Sequence, residues 1–369
     1  MEAETATATA GVASAAGFPS AEPSGRRRVR ELLYVVGHHR SGGTALGAVL
    51  SAAPGVFFVG ELYRFPHPIW TTGDRQRECS CGAPVLECPF WNEVRRRAEA
   101  EGLPARLRHG QLAYERWSAL PRTLLARALH RPGLKAHSAA MLRFLEIIAD
   151  CAGADVVVEY SASAARACAY QSGARPGLPV RFIHLVRDGR GFLVSELRTG
   201  PDPEAPGDWV RHPLVIVGRW AWMNFAAMVL CGRDRSRYLR IRYEELLREP
   251  AGVLAEVGRL ADQDLSEVVR RVESGTSIPM RHLAAGNRAR LKGSIVLERE
   301  PPRSPALPWS QQALFWAAAG WMAALLGYHP RGSYRRPATP ATATRRGASG
   351  VPETDRPPEG NGAYSVTDS

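Results

Sequence analysis

The chain has 369 residues, 45% of them hydrophobic, enough to bury a full core in one large domain or two small ones. Its formal net charge of +12 comes almost wholly from arginine, since Lys135 and Lys292 are the only lysines. A basic surface suits an anionic ligand, but no block of basic residues interleaved with aromatics points to nucleic acid as a partner.

The first 28 residues, rich in Ala, Thr, Ser and Gly, cannot bury enough apolar surface to fold alone, and the tail from 331 to 369 has a similar bias. Both are expected to be disordered. Glu2 and Glu4 stand where a secretory signal carries positive charge. No run reaches the 18 or so apolar residues that span a bilayer; the nearest, 313–326, is broken by Gly320. The chain therefore reads as soluble and cytoplasmic, with no transmembrane segment and with association to a membrane surface left open.

Residues 29–330 read as one α/β domain: a phosphate-loop-like parallel sheet flanked by helices, with a mostly helical insertion over about 63–150. The apolar run 32–36, too short for a helix and closed by Gly37, is the first buried strand. From Gly37 to Thr44 the loop fits G-x-x-x-x-G-x-T, the frame in which backbone N–H groups at a helix N-terminus wrap an anion. The helix is expected over 44–53, stopped by Pro54. A loop that binds nucleoside triphosphates has lysine where this chain has Gly43, which disfavours polyphosphate cleavage. Arg40 lies inside the loop, where a guanidinium can clamp one anion bidentately. His38 and His39 are either donors to that anion or shapers of the loop.

On Arg40, Ser41, Gly42, Gly43 and Thr44 the chain resembles the PAPS-dependent sulfotransferases, in their bacterial branch, whose 5′-phosphosulfate loop reads R-S-G-[GT]-[ST]. The resemblance implies that these residues bind 3′-phosphoadenosine 5′-phosphosulfate (PAPS), with Arg40 also catalytic through the charge it neutralises. The next strand, 56–59, delivers Gly60 and Glu61 to the carboxyl end of the sheet, where ligands bind in open parallel sheets. Glu61 is either a solvated glutamate or a carboxylate placed to take a proton from an acceptor hydroxyl. With Arg64 it matches the G-E-x-x-R context of the base in tyrosylprotein sulfotransferases, and the resemblance implies the catalytic role.

Cys79, Cys81 and Cys88, in E-C-S-C-G-A-P-V-L-E-C-P-F-W, have spacing that fits part of a zinc site, but three ligands with no nearby fourth fall short of a paired C-x-x-C arrangement. They read as structural cysteines of the insertion; a metal or a reversible disulfide stays open, and no metal ligand is assigned. A similar cluster followed by Phe-Trp recurs in bacterial members of the family, which implies a structural feature. Residues 91–148 carry apolar residues at helical spacing and are expected to stand over the donor site and shape the acceptor pocket.

The strand at 155–159 ends at Tyr160-Ser161, before an Ala-rich helix containing Arg166. Against the D-S-S-K of bacterial sulfotransferases, Glu159, Ser161 and Arg166 fit, Tyr160 replaces a serine and Ala162 replaces the lysine. The lysine's contacts must then fall to Arg40 or another residue. A strand at 181–186 leads into R-D-G-R-G and a helix through 197, a second place where a helix N-terminus can meet a phosphate. The resemblance implies that Arg187 and Ser195, eight positions on, grip the 3′-phosphate. His184, inside that strand, reads as a satisfied core histidine.

A helix over 215–230, a strand over 238–243 with R-Y-E-E-L, a basic loop over 286–293 and a closing helix over 313–326 complete the domain. R-Y-E-E-L resembles the Y-E-[DE]-L signature of the family, where Tyr243 is either packing or a contact to adenine. The basic loop is either solvated or, as the resemblance implies, a segment over the 3′-phosphate. The implied activity moves the sulfuryl group of PAPS to a hydroxyl or amine of a small-molecule or glycan acceptor, leaving PAP. Without a Walker-type Mg²⁺ ligand set, turnover is expected to be metal-independent. The alternatives are a P-loop small-molecule kinase and a catalytically silent PAP- or PAPS-binding protein; acceptor and oligomeric state are not set by the sequence.

Overall fold

Leu32, Tyr34 and Val36 point to one face of strand β1 (Glu31–Gly37), Leu33 and Val35 to the other, and all five are buried. A strand covered on both faces must read as a continuous apolar run. The structure, a computed structural model, describes residues 29–64, 78–173, 178–198, 212–298 and 307–330. The tails expected to be disordered lie outside the described residues.

Strands β2 (Val56–Gly60), β3 (Val156–Tyr160), β4 (Val180–Val186) and β5 (Tyr238–Arg242) join β1 in one sheet of order β2-β3-β1-β4-β5. All its pairings are parallel. The carboxyl ends of β1 and β4 are thus neighbours, and each runs into a loop and a helix. Helices α1 (Gly43–Leu50), α9 (Tyr243–Arg248), α10 (Pro250–Ala261) and α11 (Ser266–Glu273) cover the face of Leu33 and Val35. Helices α5 (Pro132–Ala152), α6 (Ala164–Gly173) and α8 (Pro213–Cys231) cover the face of Leu32, Tyr34 and Val36. At the end nearest β5, α7 (Gly189–Arg198) and α12 (Trp309–Leu325) pack on α8. A proline in the first turn opens α5, α8 and α10, where its missing N–H has no partner to lose.

The insertion, α2 (Pro89–Ala100), α3 (Leu103–Tyr114), α4 (Leu120–Ala128) and α5, adds its buried apolar residues to the core on the face of Leu32, Tyr34 and Val36. Gln111 of α3 donates to the Tyr63 carbonyl, which ties this helix to the turn after β2. One expectation needs correction: the segment nearest to a membrane span is α8, which has the length and hydropathy of one, and not 313–326. Half of the α8 window is buried inside the fold, with the Trp220 ring 5.5 Å from Phe315.

A buried ion network lies beneath the end of β3. The Arg166 guanidinium donates to Glu159 Oε1 at 2.7 Å, to Glu115 Oε2 at 2.6 Å and to the Tyr170 hydroxyl at 3.1 Å. Tyr170 and Ser161 donate to Glu159, and His137 Nε2 lies 2.6 Å from Glu115 Oε1. His184 is likewise satisfied inside its strand, at 2.8 Å from the Tyr238 hydroxyl and 2.9 Å from Asn224 Oδ1, and burial pushes its pKa down to about 4.

Removing one member of a buried ion network strands the others. Arg166→Met is expected to lower the unfolding free energy by about 3–5 kcal/mol in denaturant melts. Arg143→Met, which breaks the more exposed pair with Glu101, should change it by less than about 1 kcal/mol.

Candidate functional site

The first loop is shaped by two tyrosines. A Cβ added to Gly42, which has φ 94°, would lie 2.2 Å from the Tyr243 ring, and one added to Gly43 would lie 2.4 Å from the Tyr160 ring. The place that a triphosphate loop gives to lysine is therefore occupied by Tyr160, the residue that stands in for a serine at the end of β3. Its hydroxyl donates to the His38 carbonyl at 2.6 Å, as does Ser41 Oγ at 2.6 Å, so both side chains hold the loop backbone. Helix α1 begins at Gly43, and the N–H groups of its first turn face the loop's mouth.

His38 is a shaper of the loop. It is buried, its Nδ1 donates to the His39 carbonyl at 2.9 Å and its ring packs 3.9 Å from Phe192. Burial, helped by His39 and Arg219, holds its pKa well below the ordinary histidine range, so it is neutral.

Arg40 takes φ 61°, and its guanidinium turns to α7, donating from Nε to Glu196 Oε1 at 2.9 Å. Arg219 on α8 donates to the other oxygen of Glu196 at 2.8 Å. The expected clamp thus has a carboxylate partner, with which an anion in the loop would compete. The second loop meets the first directly: Arg187 NH1 donates to the Arg40 carbonyl at 2.9 Å, and its guanidinium lies 5.1 Å from the centre of the Tyr243 ring.

Three residues hold that second loop in place. Asp188 caps α7 by accepting from the Arg190 N–H at 2.9 Å, a cap of the kind aspartate makes at helix starts. Glu244 accepts from the Asp188 N–H at 2.9 Å and from the Tyr328 hydroxyl at 2.9 Å. Trp220 Nε1 donates to the Arg187 carbonyl at 3.2 Å.

Arg40, Ser41, Gly42, Gly43, Thr44 and Arg187 are therefore gathered at the carboxyl ends of β1 and β4. Ser195, half-buried on α7, directly precedes Glu196. Glu61, only 8% exposed, follows β2, and its charge helps raise the Tyr160 phenol pKa, after the larger effect of burial and alongside the opposing Ser41 hydrogen bond. The Arg64 side chain of the G-E-x-x-R context lies outside the described residues. Ala162, in the lysine position, is 1% exposed with φ 49°. The cations beside the loop come instead from Arg40, Arg187 and Arg219.

Sequence reasoning missed Glu196, Arg219, Glu244 and the bracing role of Tyr160. Glu244 stands inside R-Y-E-E-L, a signature that by itself gives its carboxylate no task; Glu196 and Arg219 carry no local signal. In the basic loop Asn287, Leu291 and Lys292 are exposed and Arg290 is not. Arg290 is buried, donating to the carbonyls of Gly286 at 3.1 Å and Glu78 at 3.3 Å. The cysteines do have a fourth neighbour: His282, whose Nδ1 is 3.3 Å from Cys88 Sγ.

Residues 33–267 match the profile of the sulfotransferase family. Among solved structures, the chain is similar to the sulfotransferase domain of an olefin synthase from Synechococcus PCC 7002, at 17% identity and TM-score 0.43, covering 80% of this chain and 97% of that one. The sulfotransferase domain of the curacin biosynthetic pathway is similar at 15% identity and TM-score 0.45, over 82% and 99%. A sulfotransferase from Mycobacterium avium is similar at 16% identity and TM-score 0.42, over 83% and 78%. No curated protein sequence matches the chain.

If the Tyr160 ring is what requires glycine at position 43, the two positions are energetically coupled. Gly43→Ala should cost about 1–3 kcal/mol by overpacking and much less in a Tyr160→Ser background. A double-mutant cycle on thermal unfolding should give a coupling of about 1 kcal/mol or more; additive effects would remove Tyr160 as the cause.

Proposed function

The chain belongs to the sulfotransferase family, and from that premise we propose that it transfers the sulfuryl group of PAPS to a hydroxyl or amine of a small-molecule or glycan acceptor. The observation that carries the donor reading is the joint between the loops: Arg187, bonded to the Arg40 carbonyl at 2.9 Å, sets two strand-to-helix turns edge to edge. One molecule with an anionic group at each end of a nucleoside suits such a pair. The 5′-phosphosulfate lies on Ser41, Gly42, Gly43 and Thr44 at the start of α1, and the 3′-phosphate on Arg187 and Ser195.

In this reading the acceptor oxygen attacks sulfur while the bond from sulfur to the 5′-phosphate oxygen breaks. The acceptor proton passes to the Glu61 carboxylate, and PAP leaves with the bonding electron pair. Charge gathering on that phosphate is met by the amides of the α1 first turn and by Arg40, which exchanges Glu196 for the donor. Positioning and charge stabilisation then supply most of the rate, as in phosphoryl transfer. A kinase is the weaker reading because the Tyr160 ring fills the place from which a lysine would reach a triphosphate.

Calorimetry with PAP and ADP tests the donor. Tighter binding of PAP is expected, with the preference reduced about tenfold or more by Arg187→Ala, the loss of one charged hydrogen-bonding partner. Equal binding of both nucleotides would sink the PAPS assignment. For the base, Glu61→Gln should abolish sulfuryl transfer from PAPS while PAP affinity stays within a few-fold. Near-normal turnover would remove Glu61 from the mechanism, and PAP binding without transfer by the wild type would favour the silent nucleotide-binding reading.

A further inference from the structure

The segment 78–88 folds as a tight knuckle. Cys79 N donates to the Ala83 carbonyl at 2.8 Å, Gly82 N donates back to the Cys79 carbonyl at 2.9 Å, and Glu78 and Pro84 form an antiparallel bridge. Cys88 then stands at the N-cap position of α2, where the helix dipole favours a thiolate. Turned onto this knuckle is His282, from a segment 194 residues beyond Cys88.

Its placement is determined on every side. The His282 carbonyl accepts from Trp91 Nε1 at 2.7 Å, and its ring stacks on Phe90 with centroids 5.0 Å apart and an interplanar angle of 11°. The adjoining Leu283 exchanges two hydrogen bonds with Ser80, at 2.8 and 3.1 Å. His282 itself takes φ 22°, an unfavourable conformation for a residue with a Cβ.

The Sγ atoms of Cys79, Cys81 and Cys88 and one ring nitrogen of His282 all lie within 4.8 Å of one another. Cys81 Sγ is 3.7 Å from Cys88 Sγ, and His282 Nδ1 is 3.3 Å from Cys88 Sγ and 3.9 Å from Cys79 Sγ. A tetrahedral zinc ion with Zn–S of about 2.3 Å and Zn–N of about 2.0 Å requires sulfur atoms about 3.8 Å apart and sulfur and nitrogen about 3.5 Å apart. A disulfide would bring two sulfurs to about 2.05 Å and would leave the third cysteine and the histidine without a purpose.

We infer that Cys79, Cys81, Cys88 and His282 form a structural Cys₃His zinc site that clips the 282–286 segment to the cysteine knuckle. Four protein ligands close the coordination sphere, as in structural rather than catalytic zinc sites. On binding, the three thiols release their protons to solvent and the imidazole stays neutral. The surplus negative charge has a counterpart in Arg290, which donates to the carbonyl of Glu78 beside Cys79.

The clip lies next to the transfer site without belonging to it. A Cβ on Gly60 would be 2.6 Å from the Ala285 carbonyl oxygen, and one on Gly286 would be 3.5 Å from Thr44 Oγ1. The segment that the ion holds therefore packs against both Gly60, the residue before Glu61, and Thr44 at the end of the first loop.

The test is metal content, which does not depend on what the protein catalyses. The full chain, purified under reducing conditions with zinc supplied, should carry about one zinc per chain by elemental mass spectrometry. Cobalt(II) added to chelator-stripped protein should give the intense d–d and thiolate charge-transfer absorption of a tetrahedral site, and zinc should displace it. Cys88→Ser should lose at least nine-tenths of the zinc, whereas His282→Cys should retain it with a shifted cobalt spectrum, a rescue that mere misfolding would not produce. Chelation should lower the thermal midpoint, and zinc should restore it. Wild-type chain that shows folded circular dichroism but carries less than about a tenth of an equivalent of zinc, or as little as Cys88→Ser, would overturn the inference, as would a Cys81–Cys88 disulfide found by mass spectrometry in that reduced preparation.

Discussion

The guanidinium of Arg166, enclosed with Glu159 and Glu115 beneath the sheet, is the interaction on which the geometry of the first loop rests. Its surroundings exclude water, so the two carboxylates can stay charged there only while the guanidinium keeps its place. That requirement fixes Glu159 at the end of β3. Tyr160, the next residue, projects to the opposite face and meets Gly43 and the His38 carbonyl. A buried charge on one side of the sheet thus sets the shape of the glycine-rich loop on the other, through a single strand end.

Much of this was legible in the sequence because it is local. Apolar runs that are too short for helices marked the strands of a doubly covered sheet, and the glycine-rich turn after 32–36 marked the place of the loop. What could not be read was reciprocity across the chain. Gly43 and Tyr160 look like two independent departures from familiar patterns, yet each accounts for the other once the ring is seen on the glycine. Arg40 had a legible charge but an illegible partner, since Glu196 lies on a helix 156 residues away. The cysteines were visible as a trio, and only the fold supplies a histidine from 282. Apolar periodicity revealed the helices of the insertion without revealing which surface they cover.

Side chains hold the backbone of the two loops in place. Tyr160, Ser41, Trp220 and Arg187 bind carbonyls of the two loops, and Glu244 binds an amide. None of these bonds has to be broken for a ligand to reach the amides of α1. Arg40 is different, because the carboxylate it shares with Arg219 is an anion that a better anion can replace. Preorganised amides beside a cation already held close by are the arrangement that favours charge developing late in a reaction.

The order of the sheet also has a consequence for how the chain comes into being. β1 is central, but its partners are β3 and β4: Glu31 pairs with Val156 and Leu32 with Val180. On a ribosome β1 is therefore made before both of its partners and stays unpaired until the whole insertion has emerged. Contacts so distant along the chain slow folding and leave strand edges exposed to neighbours in the meantime. Nascent chains of this protein should be held by chaperones until β4 is complete, and truncations that stop short of it should aggregate instead of yielding a smaller folded domain.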